Sequence, residues 1–135
     1  MSIQLQRKPA TQLAQTVQIR NHHLNSDVSV AEGGDDAGPS PHDFYDAALG
    51  ACKALTVMWF AKKKGIAVDD VRTEVVSDNS QERSGVYKLH TKLVISGAFS
   101  DAEFTQLVAV AEKCPVHKLM TSVTTEITTT VERSA

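Results

Sequence analysis

A chain of 135 residues, 41% apolar and 22% charged, is long enough to bury one core and too short for two independent domains, so residues 1–135 are expected to form a single domain. The composition excludes wholesale disorder. A net charge of −2, with both signs interspersed, excludes the basic footprint that nucleic acid or an anionic membrane surface requires.

In chain order, Ile3-Gln4-Leu5-Gln6 and Thr16-Val17-Gln18-Ile19-Arg20 alternate apolar and polar residues, the period of half-buried strands, and His23 to Val28 continues the meander. Glu32 to Pro41 is a loop by its glycines and prolines and ends in a helix start. Ser40 suits the N-cap, Pro41 the first helical position, and Asp43 stands three residues after the cap. The helical pattern then runs from Pro41 to about Lys64, closed by a basic last turn and by Gly65. It holds Phe44, Tyr45, Trp59 and Phe60, four of the seven aromatic residues. Its middle, Ala48 to Phe60, is apolar nearly all round, whereas a helix lying on one sheet face buries only a stripe. The expectation is a central helix covered on several sides, completed by a second subunit. Lys53 interrupts the apolar run, and Ala47 to Ala61 is too short to span a bilayer.

Asp70 to Val76 and Val86 to Ile95 read as a hairpin around the polar turn Ser77 to Gly85. Ser100 with Glu103 forms a capping-box pattern opening a helix that Cys114-Pro115 breaks, and Pro115 starts a short helix, Val116 to Met120. Val123 to Glu132, rich in β-branched residues, reads as a closing strand. The fold class is α+β.

Two sets of residues could carry chemistry. Cys52 lies inside the apolar helix, where desolvation alone would make a thiol inert unless a cation or hydrogen-bond donor stands nearby. Cys114 sits at the break before Pro115, close to an N-cap position where the dipole favours a thiolate, so taken alone this physics selects Cys114 as the more reactive thiol. Both could equally be small buried apolar residues. The histidines are His22, His23, His42, His90 and His117. With the cysteines they could ligate zinc, although no CxxC or HxxxH spacing is present. His23 and His90 read as strand-surface residues, His42 lies in the first turn of the long helix, and His117 stands three residues after Cys114. Gly33-Gly34 lacks the strand and helix context of a phosphate-binding loop, and Ser40 is a cap rather than a nucleophile. Two cysteines are too few to staple a secreted fold, and Met1 to Ala10 has no apolar core of a signal segment, so the expected location is a reducing cytoplasm.

Gly38-Pro39-Ser40-Pro41-His42-Asp43-Phe44, Ala47-Ala48-Leu49-Gly50-Ala51-Cys52 and Ala111-Glu112-Lys113-Cys114-Pro115-Val116, in this order, resemble the OsmC/Ohr family (osmotically inducible protein C and organic hydroperoxide resistance protein). The resemblance spans nearly the whole chain. It implies an OsmC-like fold, with antiparallel sheets around a long central helix in an intertwined homodimer. It also implies a thiol peroxidase for organic hydroperoxides in oxidative stress defence, regenerated by a cellular dithiol, with neither metal nor organic cofactor. By analogy Cys52 is the peroxidatic residue and Cys114 the resolving one, which reverses the choice made from the helix dipole. Family peroxidases activate the attacking thiol with an arginine held by a glutamate ten residues before it. Here that position is His42, and of Arg7 and Arg20 the latter, ending a credible strand, is the expected arginine. The departure at His42 keeps a second expectation open, an OsmC-fold protein that binds a small molecule without peroxidase activity.

Overall fold

The computed structural model describes residues 1–134. The chain divides into two compact units, Met1–Ala48 with Val75–Thr91, and Leu49–Glu74 with the chain from Lys92 onward. Its strands are β1 (Ile3–Arg7), β2 (Gln15–Ile19), β3 (His22–Ser26), β4 (Val68–Asp78) and β5 (Lys88–Gly97). The helices are α1 (Pro41–Lys64), α2 (Asp101–Glu112) and α3 (Pro115–Thr121). The α+β class holds.

In the first unit β1, β2 and β3 form an antiparallel meander, with Leu5 opposite Val17 and Val17 opposite Leu24. Beyond β3 the loop is tied by Asp27. Its carboxylate is buried and accepts hydrogen bonds from the amides of Val28 at 2.8 Å, Asp35 at 3.0 Å and Ala37 at 3.1 Å. These donors favour the charged form and hold the carboxyl below its ordinary pKa. Pro39 is pinned to the end of β3, its carbonyl accepting from the Asp27 amide and the Ser26 hydroxyl. Gly38 passes so close to the Asn25 backbone that a Cβ there would collide with it. The loop therefore delivers Ser40 to a fixed place, and α1 begins at Pro41 as its sequence predicts. The Asp43 amide donates to Ser40 Oγ at 3.2 Å while the Ser40 amide donates to Asp43 Oδ2 at 2.9 Å, a capping box with aspartate as the reciprocating acid.

The second unit holds the larger core. Val57, Ala61, Ile66 and Leu107 are buried together, with Phe60, Val71, Leu93, Ile95, Phe99 and Val110 packed against them. α1 closes on Gly65 in the left-handed region (φ 70°), and the Ile66 amide donates back to the Ala61 carbonyl at 2.9 Å. This Schellman closure brings Ala61 and Ile66 into the same cluster. Ser100 caps α2 with Glu103 reciprocating, as expected. Its buried Leu107 contributes on the order of 2 kcal/mol through area removed from water.

Two expectations need correction. The first hairpin strand is longer at both ends than its alternating pattern indicated, the second is shifted two residues onward at the same length, and the turn between them contains a short 3-10 segment at Glu82–Ser84. Residues 123–134 form no strand: the segment has no regular structure and is exposed, with Ile127 at 81% and Val131 at 87%. β-branched residues form a strand only by pairing with an edge, and within this chain the segment pairs with neither sheet.

Candidate active site

Cys52 and Cys114 both lie in the second unit, and the first turn of α3 brings them together. Cys114 is the N-cap of α3, its sulfur accepting the His117 amide at 3.3 Å. The preceding amide, of Val116, donates to Cys52 Sγ at 3.5 Å. Consecutive backbone N–H groups of one helical turn thus point at one sulfur each, which brings the two thiols to the same end of α3. Pro115 makes this possible. It opens the helix without an N–H of its own, so the first donors available are those of Val116 and His117. Thr56 Oγ1, one turn along α1, is 3.9 Å from Cys52 Sγ.

The two thiols differ in their surroundings. Cys52 is half-buried, whereas Cys114 is fully buried and both are free. Burial raises the Cys114 pKa above its ordinary value of 9.0. The His117 amide opposes the rise, the adjacent Cys52 adds to it, and the Lys53 ammonium opposes it. Desolvation is the larger of these effects, so the helix terminus alone does not favour the Cys114 thiolate.

Lys53 occupies a position that the sequence marked only as an interruption of the apolar run. It is buried at 5% exposure, and its Nζ donates to the Ala111 carbonyl at 2.9 Å and lies 3.0 Å from His117 Nδ1. Ala111 is in the last turn of α2, where carbonyls lack helical partners and the dipole favours a cation. A charged residue in the middle of an otherwise apolar helix was the visible signal, but its partners lie 58 and 64 residues further along the chain.

The remaining expected site residues, Arg20 and His42, lie in the first unit. Arg20 is exposed just past β2, in a left-handed turn (φ 53°). His42 Nε2 is 2.9 Å from Glu82 Oε1, an exposed pair worth less than about 1 kcal/mol to stability. His42, Tyr45, Glu82 and Tyr87, with Pro41, line a hollow of about 390 Å³. Tyr87 donates to both oxygens of Asp46, at 2.7 and 2.9 Å, and burial together with that bond raises its pKa. The acid expected at position 42 is replaced by histidine, yet Glu82 sets a carboxylate against that ring, a partner forty residues away that spacing could not reveal. His23 and His90 are exposed on strands, as expected. Among the described residues no three of His, Cys, Asp and Glu converge in a way that could hold a metal ion, so the zinc alternative gains no geometric support.

The family model of OsmC-like proteins matches residues 33–130. The chain belongs to that family. This OsmC-like chain has no match among curated proteins. Its fold is that of solved OsmC structures. It is similar to the OsmC-like protein of Mycoplasma pneumoniae at 20% identity, covering 90% of this chain and 87% of that one with a TM-score of 0.70. The organic hydroperoxide resistance protein OsmC of Legionella pneumophila matches at 21% identity, 90% of each chain and a TM-score of 0.59. OhrB of Bacillus subtilis, an organic hydroperoxide resistance protein, matches at 22% identity, 90% of each chain and a TM-score of 0.55. Among the described residues no helix is long and apolar enough to cross a membrane.

Proposed function

We propose that the protein is a thiol-dependent peroxidase that reduces organic hydroperoxides through Cys52 and Cys114. The observation that carries this reading is the pair of consecutive amides, Val116 and His117, set on the two sulfurs. A backbone N–H donated to sulfur stabilises the thiolate and holds it in one orientation. The half-buried Cys52 is the thiol that a peroxide can meet, and its thiolate attacks the outer peroxide oxygen. The O–O bond breaks, the departing alkoxide takes a proton and leaves as alcohol, and Cys52 becomes a sulfenic acid. Cys114, already beside it, displaces water to give the disulfide, which a cellular dithiol reopens by exchange. The hydroperoxide resistance names of the Legionella and Bacillus proteins agree with this chemistry.

A homodimer forms part of the same proposal. Leu55, Met58 and Trp59 share one face of α1 and are exposed at 69%, 39% and 62%, an apolar stripe that a second copy would cover. A binding reading without peroxidase chemistry is favoured by one observation, the hollow lined by His42, Tyr45 and Tyr87.

The deciding experiment is consumption of an organic hydroperoxide coupled to a dithiol. Wild type turns over, Cys52→Ser is inactive, and Cys114→Ser reacts once without recycling. Equal consumption by Cys52→Ser and wild type would exclude the peroxidase. An inert wild type whose melting temperature rises with an apolar ligand would favour binding.

A further inference from the structure

Cys52 and Lys53 are neighbours on α1, and they reach neighbours on α3. The Val116 amide donates to Cys52 Sγ at 3.5 Å, and Lys53 Nζ meets His117 Nδ1 at 3.0 Å, each pair separated by 64 residues. The lysine makes a second contact, donating to the Ala111 carbonyl at 2.9 Å. Ala111 stands three residues before Cys114 and His117 three residues after it, so one ammonium grips the chain on both sides of that cysteine. An ammonium has three N–H donors and no acceptor. The ring nitrogen it meets must therefore accept, which fixes His117 as the tautomer protonated at Nε2. Lys53 is 5% exposed, and a buried cation has no water to turn to if either acceptor is lost. The clasp is accordingly stiff where an exposed lysine contact would be loose. The Cys114 sulfur is itself held within the clasped segment, by the His117 amide at 3.3 Å.

We propose that Lys53 is a positioning residue for the disulfide step: by clasping Ala111 and His117 it holds the first turn of α3, and Cys114 with it, at Cys52. Resting on the two-thiol reading above, this assigns the pairing of the sulfurs to a residue that moves neither proton nor electron. Two thiols on one chain join as readily as the segments carrying them are held together, which is an effective concentration. Preorganisation of the reduced state raises it, since less freedom remains to be lost when the S–S bond closes. Pro115 and the Cys114 cap shape the turn from within. The lysine fixes that turn to α1 and to the end of α2.

Equilibration with a glutathione redox buffer reads the effective concentration directly. Cys52 and Cys114 give up two electrons and two protons as their S–S bond forms, and the S–S bond of one oxidised glutathione breaks to yield two glutathione thiols. Wild type is expected to form the disulfide, quantified by acid quench, alkylation and intact mass. Lys53→Met and His117→Leu are each expected to lower the effective concentration by about tenfold, the scale of one lost charge-assisted hydrogen bond. The double variant is expected to fall no further than Lys53→Met, because both substitutions remove the same contact. His117→Leu leaves the lysine on Ala111, so it tests the clasp even where Lys53→Met does not fold. His117→Asn keeps an acceptor oxygen near the place of Nδ1 and is expected to recover most of the loss. Heteronuclear NMR of wild type at about pH 8, above the ordinary histidine pKa, is expected to show the His117 proton on Nε2. An unchanged effective concentration in folded Lys53→Met or His117→Leu, no recovery in His117→Asn, or a proton on Nδ1 overturns the clasp and leaves the peroxidase reading standing. A wild type that forms no Cys52–Cys114 disulfide at any glutathione ratio overturns the two-thiol reading and the clasp with it.

Discussion

The two sulfurs share one helical turn and differ chiefly in burial, which has consequences that can be measured. At about pH 8.5, close to the ordinary thiol pKa, iodoacetamide is expected to alkylate Cys52 first and Cys114 only after denaturant is added. Peptide mapping of a time course checks the order, and faster labelling of Cys114 would contradict it. The raised Cys114 pKa also links to stability. Because the folded value lies above the unfolded one, the contribution of the protonated thiol is complete below 9.0 and is lost as pH rises towards the folded value. Thermal melts are therefore expected to show a steeper alkaline decline for wild type than for Cys114→Ser. Asp27 has the opposite sign. Its lowered pKa contributes stability above the ordinary aspartate value of 3.8 that is lost as pH falls through the folded value, so Asp27→Asn should flatten the acid side of the melting profile. Both cysteines were legible in the sequence as candidates. Lys53 as a partner of His117, and Glu82 as the carboxylate facing His42, were not, because each pairs segments that only the tertiary fold brings together.

Among the elements, those legible in advance are the ones whose ends are set by local chemistry. α1 starts and stops where Ser40, Pro41 and Gly65 direct, and α2 starts where Ser100 and Glu103 direct, because caps are satisfied by neighbours within a few residues. Ser100→Ala is expected to cost about 1 kcal/mol, read by equilibrium denaturation. Leu107→Ala, which empties a fully buried site in the larger core, is expected to cost about 2–5 kcal/mol. A cost for Leu107→Ala no larger than that of the cap would show that this core is not built around it. The tail went the other way: Val123 to Glu132 has the residues of a strand, but it pairs with neither sheet of its own chain.

For the whole molecule, the same exposed residues bear on assembly. The apolar stripe of α1 and the unpaired, β-branched tail leave large apolar side chains uncovered, Leu55 and Trp59 on the helix and Ile127 and Val131 on the tail, which a second copy would bury. Light scattering after size exclusion is expected to give twice the chain mass, and Trp59→Glu with Leu55→Glu is expected to shift it to the monomer. A monomeric wild type would refute the homodimer. The most direct measurement of all is intact mass after one equivalent of organic hydroperoxide, with no reductant present. Wild type is expected to lose two hydrogens and yield a single Cys52–Cys114 cross-linked peptide. Both thiols remaining fully titratable, with the peroxide unconsumed, would contradict the redox pairing of the two cysteines.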